Sequence, residues 1–284
     1  MFVTSLLQLE ENIFVKAEYE NPTGSVKDRA AWYLLEDASR KGLLCSGSTV
    51  IEATSGNMGI ALAALCKAKG YRCIIVMPDS MSKERQQRIA AEGAEVVLTP
   101  GALGMTGAED RANALAQTIP HSFLTRQFEN PANALAHYCT TGPEIWAQTG
   151  AAIDIFVAGV GTGGTLTGTA RFLKEKNPNI RIVAVEPAGS PLLSSGKAGS
   201  HGIQGIGANF IPDVLDTSIL DAICTVTDED AFVTAKELGQ AGIAVGISAG
   251  ANVYAARQLA AQYPGKRIVT ILPDSADRYT SLGL

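Results

Sequence analysis

A lysine in a glycine-containing turn is the first candidate for chemistry. The turn, residues 21–29, follows an apolar run at 13–17 that predicts a strand and precedes residues 29–38, which have helical spacing. Ser25 is a good helix N-cap, so Lys27 is expected in the first helical turn. The helix dipole disfavours a cation there and lowers the lysine pKa, which suits a nucleophile or Schiff-base former. On this stretch alone, a solvated lysine at a helix start is an equally good explanation.

A second polar turn, residues 52–59, follows a predicted strand and opens a predicted helix. Thr54, Ser55 and Asn57 offer hydroxyl and amide groups beside the main-chain N–H groups of the helix start. Such a turn suits a carboxylate ligand. An elaborate helix cap is the alternative interpretation.

A glycine-rich turn at residues 159–168 also joins a predicted strand to a predicted helix. Its glycines allow main-chain N–H groups to close around a phosphate. No lysine follows the turn, so it is not a nucleoside-triphosphate P-loop. Thr162 and Thr165 add hydroxyls suited to one terminal phosphate.

The same turn also satisfies the dinucleotide-binding pattern G-x-G-x-x-G at Gly159, Gly161 and Gly164. Glu186 ends the next predicted strand, where a ribose-binding acid would belong. An NAD-linked oxidoreductase built on Gly159–Gly164 is therefore a serious alternative.

Two further turns carry weaker signals. Residues 201–208 form a glycine-rich segment with little polar chemistry, and residues 272–279 follow the last predicted strand. Ser275 or Asp274 could face a ligand there, although a plain capped turn is equally compatible with the sequence.

Val- and Ile-rich runs alternate with segments of helical periodicity through most of the chain. The further predicted strands are residues 50–53, 73–78, 95–99, 153–160, 181–186 and 267–272, and the further predicted helices are 59–70, 82–93, 107–119, 140–148, 165–176, 228–240 and 250–262. This alternation predicts open, mostly parallel sheets with helices on both sides. The strands fall into two groups, before and after about residue 130, which predicts two lobes.

Composition restricts the function classes. The chain has 284 residues, 46% of them hydrophobic and 18% charged, and a net charge of -5, which does not suit a nucleic-acid surface. An apolar run long enough to span a membrane and a signal-peptide pattern are both missing, and the five scattered cysteines suit reduced thiols. A cytoplasmic protein is expected. The three histidines lack metal-ligand spacing, so no metal site is expected.

Taken together, the turns resemble the cysteine synthase family (O-acetylserine sulfhydrylases and cystathionine β-synthases), which are pyridoxal-phosphate enzymes of fold type II. The resemblance is carried, in the family's order and spacing, by residues 21–29, 54–57, 127–133, 140–145, 161–165, 204–207 and 273–275. One such segment is weak evidence, but seven in register are strong. The dinucleotide-binding interpretation explains only one of them.

The resemblance implies a tryptophan-synthase-β-like α/β fold. It has two open, twisted, mostly parallel sheets flanked by helices, with the cofactor cleft between the lobes. Residues 21–130 would form a smaller, mobile lobe with Lys27 and the substrate-carboxylate loop. Residues 1–20 and 131–284 would form a larger lobe with the phosphate loop and the pyridine-nitrogen contact.

The resemblance also implies roles for individual residues. Lys27 would hold pyridoxal 5'-phosphate as an internal aldimine and act as the catalytic base. The phosphate would be bound by Gly161, Thr162, Gly163, Gly164 and Thr165. Asn57 would contact the ring hydroxyl, and Ser275 the pyridine nitrogen. The substrate would be bound by Thr54, Ser55, Asn57, Met58, Gln127 and Gly205.

These roles predict a β-replacement enzyme that converts O-acetyl-L-serine, or another β-substituted alanine, and sulfide to L-cysteine through an aminoacrylate. A neutral serine at the pyridine nitrogen leaves the ring a moderate electron sink, which suits β-elimination. A cysteine desulfhydrase, a lanthionine- or cystathionine-forming enzyme and another β-elimination enzyme stay open. A homodimer is expected, and a serine acetyltransferase C-terminal tail is a possible partner. A non-catalytic scaffold that binds such a tail is a further alternative.

Two positions depart from the family pattern. The family usually has threonine where this chain has Met58, so one hydroxyl is missing from the carboxylate loop and an altered substrate preference is expected. The family's N-terminal Thr-Pro-Leu segment is degenerate at residues 4–6, so the dimer is expected to differ.

Overall fold

The computed structural model describes residues 3–279 and 283–284. By its internal contacts the chain divides into two compact units. The larger unit combines Met1–Val26 with Asn133–Leu284, and the smaller unit is Lys27–Ala132. Each unit is built on its own sheet.

The strands lie close to the runs that the sequence predicts. In chain order they are β1 (Leu6–Glu10), β2 (Ile13–Ala17), β3 (Thr49–Ala53), β4 (Arg72–Pro78), β5 (Glu95–Thr99), β6 (Ser122–Leu124), β7 (Ile155–Gly159), β8 (Arg181–Pro187), β9 (Ala222–Val226) and β10 (Ile268–Leu272). The helices are α1 (Lys27–Arg40), α2 (Asn57–Lys69), α3 (Lys83–Ala91), α4 (Gly104–Thr118), α5 (Ala132–Cys139), α6 (Thr141–Gln148), α7 (Gly164–Lys176), α8 (Leu192–Ser195), α9 (Asp228–Gln240) and α10 (Ile247–Gln262).

The sheet of the larger unit has six strands in the order β1-β2-β10-β7-β8-β9. Only the β1–β2 pair is antiparallel, and the other four pairs are parallel. Two hydrophobic clusters cover its faces, one containing Val157 and Val183 and the other Phe156 and Ile182. Because successive residues of a strand point to opposite faces, β7 and β8 are buried on both sides, as in other parallel sheets.

The sheet of the smaller unit has four parallel strands in the order β5-β4-β3-β6. Its two faces also have separate clusters, one containing Val50 and Ile75 and the other Ile51 and Ile74. The predicted fold of two mostly parallel sheets flanked by helices is confirmed. None of the helices in residues 3–279 and 283–284 combines the length and apolar character that a membrane span requires.

Helix ends follow the expected chemistry in most cases. Gly70 ends α2 with φ of 73°, and Ser82 caps α3 by accepting a hydrogen bond from the Arg85 N–H at 3.4 Å. Helix α9 begins at Asp228, the first residue of the helix predicted at 228–240. Thr227 is the cap, and it accepts from the Asp230 N–H at 3.1 Å.

Three strands and two helices were absent from the sequence prediction: β1, β6, β9, α5 and α8. The three strands all lie at sheet edges, where they are largely half-buried. Their sequences therefore lack the continuous Val and Ile runs that mark β3, β4, β7 and β8.

A buried ion pair fixes the N-terminal part of the larger unit. Lys16 on β2 is fully buried, and its Nζ lies 2.7 Å from Glu144 Oε2 on α6. Nζ also donates to Gln148 Oε1 at 2.8 Å and to the Thr4 carbonyl. Gln148 Nε2 donates to the same carbonyl at 2.8 Å. This network ties residue 4 to the sheet and to α6.

Replacing Lys16 by methionine should destabilise the protein by about 3–5 kcal/mol, because the nearly buried Glu144 carboxylate loses its cation. The double variant Lys16→Met/Glu144→Leu should recover part of this loss, since it leaves no uncompensated charge. Chemical denaturation of the three proteins measures both effects. A double variant less stable than Lys16→Met would contradict this role for the pair.

Candidate cofactor and substrate site

The glycine-rich turn of the larger unit joins β7 to α7 and offers main-chain groups to a ligand. Residues 159–168 contain no charged side chain. Gly163 is the N-cap of α7 in the left-handed conformation, with φ of 81°, and has no side chain with which to cap the helix. The first N–H groups of a helix lack intrahelical acceptors and carry the positive end of its dipole. The turn therefore suits a phosphate dianion, which needs no cation there.

Close packing explains why glycine is needed in this turn. A Cβ atom at Gly161 would lie 2.3 Å from the Gly205 carbonyl oxygen, and one at Gly164 would lie 2.1 Å from Asn133 Oδ1. A Cβ atom at Gly163 would lie 2.7 Å from Leu215 Cβ. No side chain can be added at these three positions without moving the neighbouring segments.

Two side chains of helix α5 form hydrogen bonds with Thr162 and Thr165 of the turn. Asn133 Nδ2 donates to Thr162 Oγ1 at 2.9 Å, and His137 Nε2 lies 3.2 Å from Thr165 Oγ1. His137 Nδ1 lies 2.8 Å from Thr141 Oγ1. Asn133 and His137 are both buried and stand four residues apart, so they share one helical face. Sequence reasoning gave neither residue a role, although their i, i+4 spacing was visible.

The glycine-rich segment at residues 201–208 packs on the glycine turn that joins β7 to α7. The Gly207 N–H donates to the Val160 carbonyl at 2.9 Å, and the Gly205 carbonyl approaches Gly161. His201 Nε2 lies 2.8 Å from the Gly207 carbonyl and holds the turn from its start. Gly205 is thus placed beside the proposed phosphate loop.

The turn that follows β10 carries Ser275. The Val26 N–H donates to the Pro273 carbonyl at 2.8 Å, and Ser25 forms an isolated antiparallel bridge with Asp274. Tyr279 Oη donates to Asp274 Oδ2 at 2.7 Å. Strands β10 and β7 are adjacent and parallel. The Ser275 turn and the glycine turn therefore both follow the carboxyl ends of neighbouring strands in one sheet.

The dinucleotide-binding alternative required Glu186 as a ribose acceptor, and the structure uses this residue differently. The carboxylate is buried, and its two oxygens accept the N–H groups of Leu193 at 2.7 Å and Ser194 at 3.0 Å. Glu186 thus caps the start of α8. The NAD-linked interpretation loses the acidic residue on which it depended.

The polar turn of the smaller unit joins β3 to α2, which begins at Asn57. Gly56 is the N-cap, and its N–H donates to Thr54 Oγ1 at 3.3 Å. Met58 is only 1% exposed and belongs to the hydrophobic cluster of that sheet face. Its side chain points into the core, so only its main chain can contribute to a ligand site.

Glu52, at the end of β3, connects this turn to Gln127. Its carboxylate accepts hydrogen bonds from the Thr125 hydroxyl and the Arg126 N–H, the latter at 3.0 Å. The side chain and the backbone N–H of Gln127 also donate to it. The hydrogen bond to Glu52 fixes the orientation of the Gln127 side-chain amide. Sequence reasoning had assigned Glu52 no role.

Burial raises the pKa of Glu52 to about 7, against the opposing effect of the hydrogen bonds that it accepts. The side chain is fully desolvated, which disfavours its charged form. A carboxylate that orients a predicted ligand-binding amide therefore titrates near neutral pH.

Lys27 is the first residue of α1 and is half-buried, in agreement with its predicted place in the first helical turn. Leu34 and Leu35 on the same helix are fully buried in the cluster that contains Met58. The core of the smaller unit thus fixes the helix that begins with Lys27.

Comparison with known proteins identifies the family. Residues 3–274 match the family described as pyridoxal-phosphate dependent enzyme. The chain belongs to this family. It is 52% identical over 273 residues to cysteine synthase B of Campylobacter jejuni, covering 96% of this chain and 91% of that protein. It is thus a pyridoxal-phosphate-dependent enzyme, as the sequence predicts.

Solved structures show the same architecture. Cysteine synthase from Entamoeba histolytica has a TM-score of 0.94 and 42% identity, covering 98% of this chain and 86% of that one. A hydrogen sulfide-producing enzyme from Fusobacterium nucleatum has a TM-score of 0.92 and 44% identity, covering 97% and 96%. The predicted resemblance to cysteine synthases and fold type II is confirmed.

Replacing Glu52 by glutamine should remove a pH-dependent loss of stability. The folded-state pKa of about 7 lies above the ordinary value of 4.5, so the carboxyl favours the folded state at low pH and loses this effect as the pH rises through 7. Between pH 5 and pH 8 the wild-type protein should lose roughly 2–3 kcal/mol of unfolding free energy relative to Glu52→Gln. Denaturant titrations at both pH values test this, and a difference independent of pH would refute it.

Proposed function

We propose that this protein is a cysteine synthase that forms L-cysteine and acetate from O-acetyl-L-serine and sulfide. The observation that carries the proposal is the uncharged glycine turn at the start of α7, in a chain that matches the pyridoxal-phosphate family over residues 3–274. The close relationship to Campylobacter cysteine synthase B supports the choice of reaction.

The larger unit supplies two contacts to the cofactor. The N–H groups of residues 161–165 bind the phosphate, and Thr162 and Thr165 contribute hydroxyls that α5 orients. Thr162 Oγ1 accepts from Asn133 and from the Gly164 N–H at 3.3 Å, so its proton is left to donate. Ser275 faces the pyridine nitrogen as a neutral hydrogen-bonding group.

The smaller unit supplies the covalent and substrate contacts. Lys27 holds the cofactor through its amine, and once displaced by the substrate it removes and returns the proton at the substrate Cα atom. Bound pyridoxal phosphate supplies the electron sink for this proton transfer. Asn57 contacts the ring hydroxyl.

The substrate carboxylate is held mainly by the turn after β3. Thr54, Ser55 and Asn57 provide side-chain groups, Met58 provides its main-chain N–H, and Gln127 provides its side-chain amide, whose orientation Glu52 fixes. Gly205, whose φ of 95° favours glycine, is proposed as a further substrate contact.

A second candidate is a cysteine desulfhydrase or another β-elimination or β-replacement enzyme on the same cofactor, such as a lanthionine or cystathionine former. The likeness to the hydrogen sulfide-producing enzyme of Fusobacterium favours it, as does the buried Met58, which offers no hydroxyl to the substrate. Product analysis with O-acetylserine plus sulfide, and with cysteine alone, separates the two. Cysteine formation supports the synthase, and sulfide release as the faster reaction supports the alternative.

The proposal extends to assembly and location. All five cysteines, which lie within the described residues, are free thiols, in keeping with a cytoplasmic enzyme. A homodimer is proposed from the family resemblance, as is binding of a serine acetyltransferase C-terminal tail whose terminal carboxylate would occupy the Thr54–Asn57 turn. Light scattering tests the dimer, and competition between a tail peptide and O-acetylserine tests the partner.

Replacing Lys27 by alanine should abolish cysteine formation without unfolding the protein, because the amine that moves the Cα proton is lost. Lys83→Ala is the matched control, since Lys83 also begins a helix but its side chain is exposed. Turnover of O-acetylserine with sulfide and circular dichroism are measured for both. Wild-type turnover in the Lys27→Ala variant would end the proposal.

A further inference from the structure

The side chain of Arg278 reaches both of the segments that lead to the proposed cofactor contacts. Nη1 donates to Ser275 Oγ at 2.6 Å, and Nη2 donates to the Thr23 carbonyl. Thr23 belongs to the turn that leads into Lys27. The Arg278 side chain is only 6% exposed, which is unusual for an arginine and requires such partners.

Glycine at position 24 makes room for this guanidinium group. Gly24 has φ of 79°, and a Cβ atom there would lie 3.0 Å from Arg278 Nη1, 3.2 Å from Nη2 and 3.3 Å from Ser275 Oγ. The turn before Lys27 and the Ser275 turn thus meet around one buried cation. The bond between the Val26 N–H and the Pro273 carbonyl joins the same two segments.

Asp277 shares the Ser275 hydroxyl with Arg278. The hydroxyl donates to Asp277 Oδ1, which also accepts from Arg278 Nη1 at 3.1 Å. A serine hydroxyl has one proton, so the carboxylate competes for it with any other acceptor that Ser275 faces. Arg278 donates to the Ser275 oxygen, so the hydroxyl proton itself can still be directed toward another acceptor.

We infer that Arg278 is a positioning residue that fixes the Ser275 hydroxyl toward the pyridine nitrogen, and that Asp277 limits how strongly this hydroxyl donates to the nitrogen. The inference rests on the proposed role of Ser275. It adds a charged pair, Arg278 and Asp277, that sets the strength of the hydrogen bond between Ser275 and the pyridine nitrogen. Arg278 itself touches neither the substrate nor the reacting atoms.

The test uses full-length protein reconstituted with pyridoxal phosphate carrying ¹⁵N in its ring. In Arg278→Gln the hydroxyl loses its charged donor, so the nitrogen resonance should move toward that of free, unprotonated pyridine. The cofactor should also dissociate about tenfold faster, the effect of one lost charged hydrogen bond. Arg278→Lys should recover part of the change, because a lysine keeps the charge but lacks the guanidinium fork.

Asp277→Asn provides the opposing variant. Asp277 is exposed, so the substitution leaves the core intact. Removing the charged competitor should strengthen the bond to the nitrogen and move the resonance in the direction opposite to that of Arg278→Gln. If Arg278→Gln does not fold, Arg278→Lys still tests the arginine through a smaller shift in the same direction, while Asp277→Asn tests the competing carboxylate.

Arg257→Gln is the control, since Arg257 has two carboxylate partners, Glu10 and Glu237, each at 2.8 Å, in a surface network. It should show the wild-type resonance. Wild-type resonances in both Arg278→Gln and Asp277→Asn, with the cofactor bound normally, would overturn the inference and leave the proposed function intact. Failure of the wild-type protein to take up the cofactor would instead overturn both.

Discussion

The contact between the Gly161 main chain and the Gly205 carbonyl is the constraint on which the larger unit's site depends. With only 2.3 Å between that oxygen and a hypothetical Cβ atom, position 161 admits no side chain. Gly161 can therefore offer a ligand only its main chain, and the start of α7 supplies a positive field for the proposed phosphate contact. The absence of charged side chains from residues 159–168 is thus compatible with tight binding of a phosphate dianion.

Buried polar side chains beneath the turns give this main-chain chemistry its geometry. Asn133 and His137 hold the threonines of the glycine turn, and Glu52 holds Gln127. Arg278 holds Ser275. Each is buried or nearly so, and each bonds to a residue to which the sequence had already given a role. Rigid support of this kind allows short polar loops to present hydrogen bonds in a fixed direction.

The sequence predicts the central strands because burial on both faces requires the Val and Ile runs of β4 and β8. It also identifies the polar turns, since their residue types are unusual at strand ends. It does not reveal the supporting side chains, because pairs such as Glu52 and Thr125 are 73 residues apart and meet only through the register of β3 with β6. The dinucleotide-binding interpretation of Glu186 failed for the same reason. Its position at a strand end suits a ribose contact, but its hydrogen bond to the start of α8 is visible only in the tertiary structure.

The most direct test of the account is to locate the cofactor bond. The purified protein is treated with borohydride, digested and analysed by peptide mass spectrometry. The account predicts that the visible absorbance disappears and that a reduced pyridoxyl group is found on Lys27. A label on another lysine, or a colourless protein that takes up no pyridoxal phosphate, would contradict it.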